Sequence, residues 1–135
     1  MAVDPGAAEV IDGIIAAYTG RQADRVLGYF STEARVVGNL PHEDWSASDP
    51  AFRRYLDGEL SAFTNLSWTF HGAAGLAPDH LVVGTQRHQV LVMEGELSGE
   101  LHGQPFRHEG RWICVLERED DEGGWLVKHS QFSLT

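Results

Sequence analysis

The 135-residue sequence has a single lysine, Lys128, among its ten basic residues, against twenty Asp and Glu. A net charge of -10 leaves no clustered cationic surface, which argues against nucleic acid and against anionic membranes as partners. The one cysteine, Cys114, cannot close an intramolecular disulfide, so no oxidising compartment is implied. No apolar run approaches the ~18 residues of a membrane span. No basic segment followed by an apolar stretch marks a secretion leader, so the expected location is cytoplasmic. Metal and cofactor signatures are also missing. There is no His-Glu-x-x-His, Walker loop, dinucleotide fingerprint or Gly-x-Ser-x-Gly elbow, and Gly95-Glu96-Leu97-Ser98-Gly99 has its serine one place off the last. Neither a metal nor a cofactor is expected.

What remains is a globule. Apolar content of 42% and four Trp argue for a real core, and the length fits one domain over residues 1–135. Asp4-Pro5 reads as an N-cap with Pro at the first helical position. Val10, Ile11, Ile14, Ile15 and Tyr18 then fall on one helical face, and Gly20 ends that helix. Ala23, Val26, Leu27 and Phe30 mark a second short helix. Ala34 to Val37 reads as a strand and Asn39 to Ala47 as a loop. Asp49-Pro50 repeats the capping signal ahead of a third apolar stripe, Phe52, Tyr55, Leu56, Leu60 and Phe63. Three strand-like runs follow, over 66–71, 80–93 and 96–102. Helices followed by antiparallel strands predict an α+β fold.

The last third is a long β-hairpin. Two alternating runs, Arg107 to Arg118 and Trp125 to Leu134, flank the acidic turn Glu119-Asp120-Asp121-Glu122-Gly123-Gly124. The pattern Gly110-Arg111-x-x-x-Val115-Leu116-x-Arg118, the turn, Gly124-Trp125-x-Val127 and His129-Ser130-x-Phe132-Ser133 resembles the end of SnoaL-like domains. These belong to the nuclear transport factor 2-like, or ketosteroid isomerase-like, superfamily. The resemblance implies a cystatin-like cone, in which a strongly curved sheet wraps three N-terminal helices around a ligand pocket.

The resemblance also directs attention to particular side chains. Tyr18 matches the steroid isomerases' oxyanion-donating tyrosine, though a core-edge tyrosine with a wet hydroxyl reads equally from the helix pattern. Trp112 and Cys114 are placed facing inward, with Leu126, Lys128, Ser130, Phe132 and Leu134 as inward neighbours on the last strand. Trp45, in His42-Glu43-Asp44-Trp45, is a candidate lid residue, and Tyr55 adds an aromatic to the third helix. His88 is a candidate acid or base if its strand parity turns it inward; the opposite parity would turn Arg87 inward. The ligand-binding candidates are therefore Tyr18, Trp45, Tyr55, His88, Trp112, Cys114, Ser130 and Phe132, with Tyr18 and His88 the catalytic ones.

Two functions compete. One is an apolar pocket that binds a small carbonyl compound and, as in polyketide cyclases, isomerises or cyclises it by acid–base chemistry. The other is a non-catalytic dimerisation or partner-binding module, like kinase association domains. A homodimer is expected across the outer face, through Ile113, Val115, Trp125 and Val127. Steroid isomerisation itself is not expected, because the base aspartate falls at Gly38 and the protonated aspartic acid at Cys114.

Overall fold

The computed structural model describes residues 2–134. Helix α1 spans Pro5–Thr19, and the Asp4 carboxylate accepts from the Gly6 amide at 2.8 Å to cap it. Its buried face is Ala7, Val10, Ile11, Ile14 and Ala17, with Tyr18 half-buried in the last turn. Helix α2, Ala23–Gly28, is shorter than the apolar spacing predicts. Phe30 instead opens strand β1, Phe30–Val37, because the Tyr29 carbonyl already accepts the Val127 amide at 2.9 Å and commits the chain to the sheet. Helix α3, Pro50–Ala62, is capped by Asp49, buries Phe52, Leu56 and Leu60, and runs straight into strand β3, Phe63–Phe70. None of the described helices is long and apolar enough to cross a membrane.

The remaining strands are β2 (Asp44–Ser46), β4 (Leu81–Gly84), β5 (His88–Leu101), β6 (Gln104–Glu117) and β7 (Leu126–Leu134), with a single 3-10 turn at Pro78–His80. They form one mixed sheet in the order β2-β1-β7-β6-β5-β3, with β4 pairing beyond β3 on the edge of β5. Only β1 and β7 run parallel. The curved sheet wraps the helices as an α+β cone. Leu91, Met93, Trp112, Cys114, Leu116 and Val127 pack on α1, each aliphatic side chain contributing about 1.5–3 kcal/mol by burial. A second lobe joins the helices to one another through Ala17, Val26, Leu56 and Leu60, with Tyr18 against it.

Several sequence expectations shift. The loop over 39–47 contains β2, which pairs with β1 through Arg35–Ser46, Val36–Trp45 and Val37–Asp44. The runs expected over 80–93 and 96–102 break instead at 85–87, where Thr85 Oγ1 accepts from the Arg87 and His88 amides and turns the chain. Beyond that turn β5 continues unbroken through Gly95, which packs under the Trp68 ring where no Cβ would fit. The parity of the last strand also changes midway. Val115 pairs with His129 but Leu116 pairs with Val127, so Lys128 is the extra residue of a β-bulge. Val127 therefore points inward, fully buried, while Leu126 is exposed and Lys128 reaches Ser31 Oγ at 3.3 Å. Trp125 is also core, at 5% exposure, so neither it nor Val127 can cover an outer interface.

Candidate active site

The smaller core lobe carries a polar cluster where α1, α3 and the turn before β2 converge. Tyr55 and Glu59 lie one helical turn apart on α3 and so share a face. Tyr18, from the end of α1, donates its hydroxyl proton to Glu59 Oε2 at 3.1 Å. The Tyr55 phenol faces the same acids, and its proton affinity is raised first by burial and then by Glu59 and Glu43. Trp45 closes the group by packing on Tyr55 at 4.4 Å and on Phe52 at 5.5 Å between ring centres.

Glu43 is only 7% exposed although it sits in a surface turn. The turn folds around it. Gly38 N–H donates to the Glu43 carbonyl at 2.7 Å, Glu43 N–H to the Leu40 carbonyl at 2.9 Å, and Leu40 N–H to Glu43 Oε1 at 2.8 Å. A Cβ at position 38 would lie 2.8 Å from the Glu43 Cβ and 3.1 Å from its Oε1. The missing side chain of Gly38 is thus the space that the glutamate fills.

The electrostatics are one-sided. Among the described residues neither Glu43 nor Glu59 has a Lys, Arg or His within ion-pair distance. Burial raises the proton affinity of Glu59 above the ordinary carboxyl range; hydrogen bonds from Tyr55 and Tyr18 oppose this and the Glu43 charge adds to it. Tyr18 and Tyr55 are both pushed well above ordinary phenols, first by burial and then by the charge of Glu59. Two carboxyl groups and two phenols without a cation can accept, hold and donate protons. They offer nothing to an anion. Among the described residues no cluster of three or more metal-ligating side chains occurs.

No family model and no curated protein matches the sequence. Solved structures do. A nuclear transport factor 2-like superfamily protein from Salmonella enterica serovar Typhimurium superposes with a TM-score of 0.72 at 16% identity, over 94% of this chain and 87% of that one. A candidate calcium/calmodulin dependent protein kinase II association domain from Xanthomonas campestris gives 0.73 at 14%, over 95% and 84%. A ketosteroid isomerase-like protein from Erwinia carotovora atroseptica gives 0.71 at 8%, over 93% and 90%. The chain has the nuclear transport factor 2-like fold. Identities this low speak for the fold alone.

Within this fold, Tyr18, Trp45 and Tyr55 are brought together by the cluster. Trp112, Cys114, Ser130 and Phe132 form a separate group on the inner face of the sheet. Trp112 Nε1–H donates to Ser130 Oγ at 2.9 Å, so these two buried polar atoms satisfy each other. Cys114 is fully buried, and burial pushes its thiol up and out of reach of ionisation at neutral pH. Phe132 meets the Trp68 ring edge-on at 5.8 Å.

His88 is elsewhere. Gln89, Leu91 and Met93 take the inward positions of β5, so His88 is on the outer face, with its side chain 56% exposed and 3.0 Å from Glu117. Arg87 does not face inward either; it is exposed in the preceding turn and paired with Asp121 at 3.2 Å.

Sequence reasoning missed Glu59 and Glu43. Glu59 had a readable signal: it occupies a position of the apolar stripe, three residues after Leu56 and four after Tyr55. A carboxylate on the buried stripe of a helix calls for an explanation. Glu43 had none, because only the folded turn carries it inward.

Two surface depressions lie on the elements that carry the cluster. One, of about 410 Å³, is lined by Glu33, Ala34, Arg35, Asp44, Trp45 and Ser46 and shares Trp45 with it. The other, of about 330 Å³, lies at Gly20, Arg21, Ala23, Asp57, Leu60 and Ser61, beside Glu59 in sequence.

Proposed function

We propose that this is a small-molecule enzyme of the SnoaL-like kind, moving a proton within a neutral, largely apolar carbonyl compound. The observation that carries this reading is the Tyr18–Glu59 hydrogen bond within a cation-free pair of carboxyl groups. A carboxylate there removes the proton α to the substrate carbonyl. Tyr18 turns its hydroxyl from Glu59 to the developing enolate oxygen, and the carboxyl returns the proton at another carbon. No metal or cofactor takes part. Among the described residues no cation pairs with either carboxyl, which favours neutral substrates, since a carboxylate or phosphate would meet two acids.

The test is proton exchange. Purified protein is incubated in D2O with 2-tetralone, and loss of the α-proton signal is followed by NMR. Exchange faster than buffer, falling by roughly 10²–10³ in Tyr18→Phe, is expected if the phenol stabilises the enolate. Exchange at the buffer rate, or unchanged in the variant, would sink the proposal.

The outer face favours an association role as a second reading. Val90 pairs with Val115 and Val92 with Ile113, an apolar patch framed by the Arg111–Glu94, Arg107–Glu96 and His88–Glu117 ion pairs. A homodimer across this patch would cover it. Light scattering at micromolar concentration distinguishes a dimer from the 14.9 kDa monomer.

A further inference from the structure

The indole N–H of Trp68 has no acceptor. Trp112 donates to Ser130 Oγ and Trp125 to Asp4 Oδ1, each at 2.9 Å. Trp68 Nε1 is buried and stands alone as the one buried side-chain nitrogen or oxygen without a partner among the described residues. Such a group is costly and rare in a folded chain, and it calls for an acceptor from outside the chain.

The concave face of the sheet shows where that acceptor would come from. Gly95 and Gly110 are direct partners on β5 and β6, on the inward parity of both strands. A Cβ on Gly95 would lie 2.6 Å from the Trp68 ring, and one on Gly110 would lie 2.9 Å from the Phe132 ring. The two rings thus lie across a glycine floor and meet edge-on at 5.8 Å. The same parity continues past the main core. Trp68, Leu97 and His108 stand side by side across β3, β5 and β6. Phe106 follows, 5.8 Å from the His108 ring and 5.4 Å from that of Phe63. Leu97 is buried, but Phe63, Trp68 and Phe106 are half-buried and His108 is exposed. Phe63, Phe106 and His108 belong to neither core cluster, so the face runs on beyond the helices as an aromatic shelf.

We propose that this shelf seats a flat, neutral ring compound whose oxygen accepts the Trp68 indole N–H. The rings offer faces and edges to a planar body, and the indole adds a hydrogen bond without charge. Apolar walls with one placed polar group are what orient a small ligand. Part of the Trp68 ring is already exposed, and a turn of that ring about its side-chain bonds presents Nε1 to the ligand. Trp68 packs with the sheet core and Tyr18 with the smaller helical lobe, so one oxygen does not serve both. A substrate seated here therefore carries a second oxygen on its ring system, apart from the reacting carbonyl. That last step rests on the proposed function; the seat itself does not.

The test uses the 15N-labelled full chain and two fused bicycles of similar outline. Coumarin has an acceptor carbonyl and no saturated carbon from which a proton could be removed; naphthalene has no oxygen. The indole signals are assigned through their own backbones, so wild type suffices for the main readout. Saturating coumarin should move the Trp68 Nε1–H signal downfield and leave those of Trp112 and Trp125, already engaged, nearly in place. Naphthalene should produce no such move. Trp68→Phe should weaken coumarin binding by roughly tenfold and naphthalene binding by less than about twofold. No binding at millimolar coumarin, bound coumarin that leaves the Trp68 signal unmoved, or an equal downfield move with naphthalene would each overturn the proposal. Exchange of 2-tetralone with a Trp68 indifferent to coumarin would reject the shelf and keep the enzyme. A coumarin-bound Trp68 without exchange would do the reverse.

Discussion

Asp4 Oδ1 accepts both the Gly6 amide at 2.8 Å and the Trp125 indole N–H at 2.9 Å, tying the first turn of α1 to the entry of β7. Its other oxygen lies 3.5 Å from Arg118, whose guanidinium stacks 4.6 Å over the same Trp125 ring. The cap is thus also a clasp between the two ends of the described chain. Asp4→Ala removes the cap, worth about 0.5–2 kcal/mol, and strands a buried indole donor, worth about 1–3 kcal/mol. Urea denaturation should show a loss of about 2–4 kcal/mol, with Asp4→Asn recovering part of it. A loss under about 0.5 kcal/mol would mean that water replaces Asp4 without cost.

The raised proton affinity of Glu59 sets the sign of a pH effect on stability. Between the unfolded value of ~4.3 and the higher folded one, the folded state binds more protons. The contribution is therefore fully present below ~4.3 and is lost as pH rises through the folded value. Glu59→Gln cannot ionise, so its stability relative to wild type should improve from pH 4 to pH 8. Chemical denaturation at the two pH values measures this, and a difference independent of pH would contradict it.

Gly38 should tolerate no side chain. Gly38→Ala places a methyl 2.8 Å from the Glu43 Cβ, and overpacking of this kind costs about 1–3 kcal/mol. Displacement of the carboxylate should also slow 2-tetralone exchange about as much as Glu43→Gln does. If Gly38→Ala exchanges at the wild-type rate, Glu43 takes no part in the proton transfer.

The outer patch makes a separate prediction. Val92→Lys places a charge between Ile113 and the Arg111–Glu94 pair, and should turn a dimer into a 14.9 kDa species on light scattering. His88→Ala, on the same face, should leave ketone exchange within about twofold of wild type, since nothing connects it to the cluster. A large effect of His88→Ala would restore the histidine as a candidate acid or base.

Much of the architecture was legible because it rests on local periodicity. Both Asp-Pro caps, the α1 and α3 stripes and the shared face of Trp112, Cys114 and Leu116 follow from spacing alone, while the resemblance supplied that this face points inward. The errors lie where periodicity is interrupted. The Lys128 bulge inverted the parity of Leu126 and Val127, and the Thr85 turn placed the strand break at 85–87 instead of 94–95. The site was half legible for a related reason. Tyr18 and Tyr55 stand on apolar stripes, and Glu59 stood on one unnoticed, but Glu43 reaches the interior through three hydrogen bonds of a turn with no pattern in sequence. Position 38 itself carries no carboxylate. What it could not reveal is that a residue five places on fills the gap.

The single parallel pairing has a consequence for how the protein is assembled. β1 has only β2 and β7 as neighbours, and nearly ninety residues separate it from β7. The β1–β2 ribbon that carries Glu43 therefore has no lasting support until β7 has been synthesised, since a two-stranded hairpin alone is marginal in water. The 14-residue strands β5 and β6, joined by a tight turn, can pair long before that. Closing so long a loop is slow, so α1, α3 and the central hairpin should form an early platform. Glu59 on α3 is then in place first, and Glu43 arrives with the last strand.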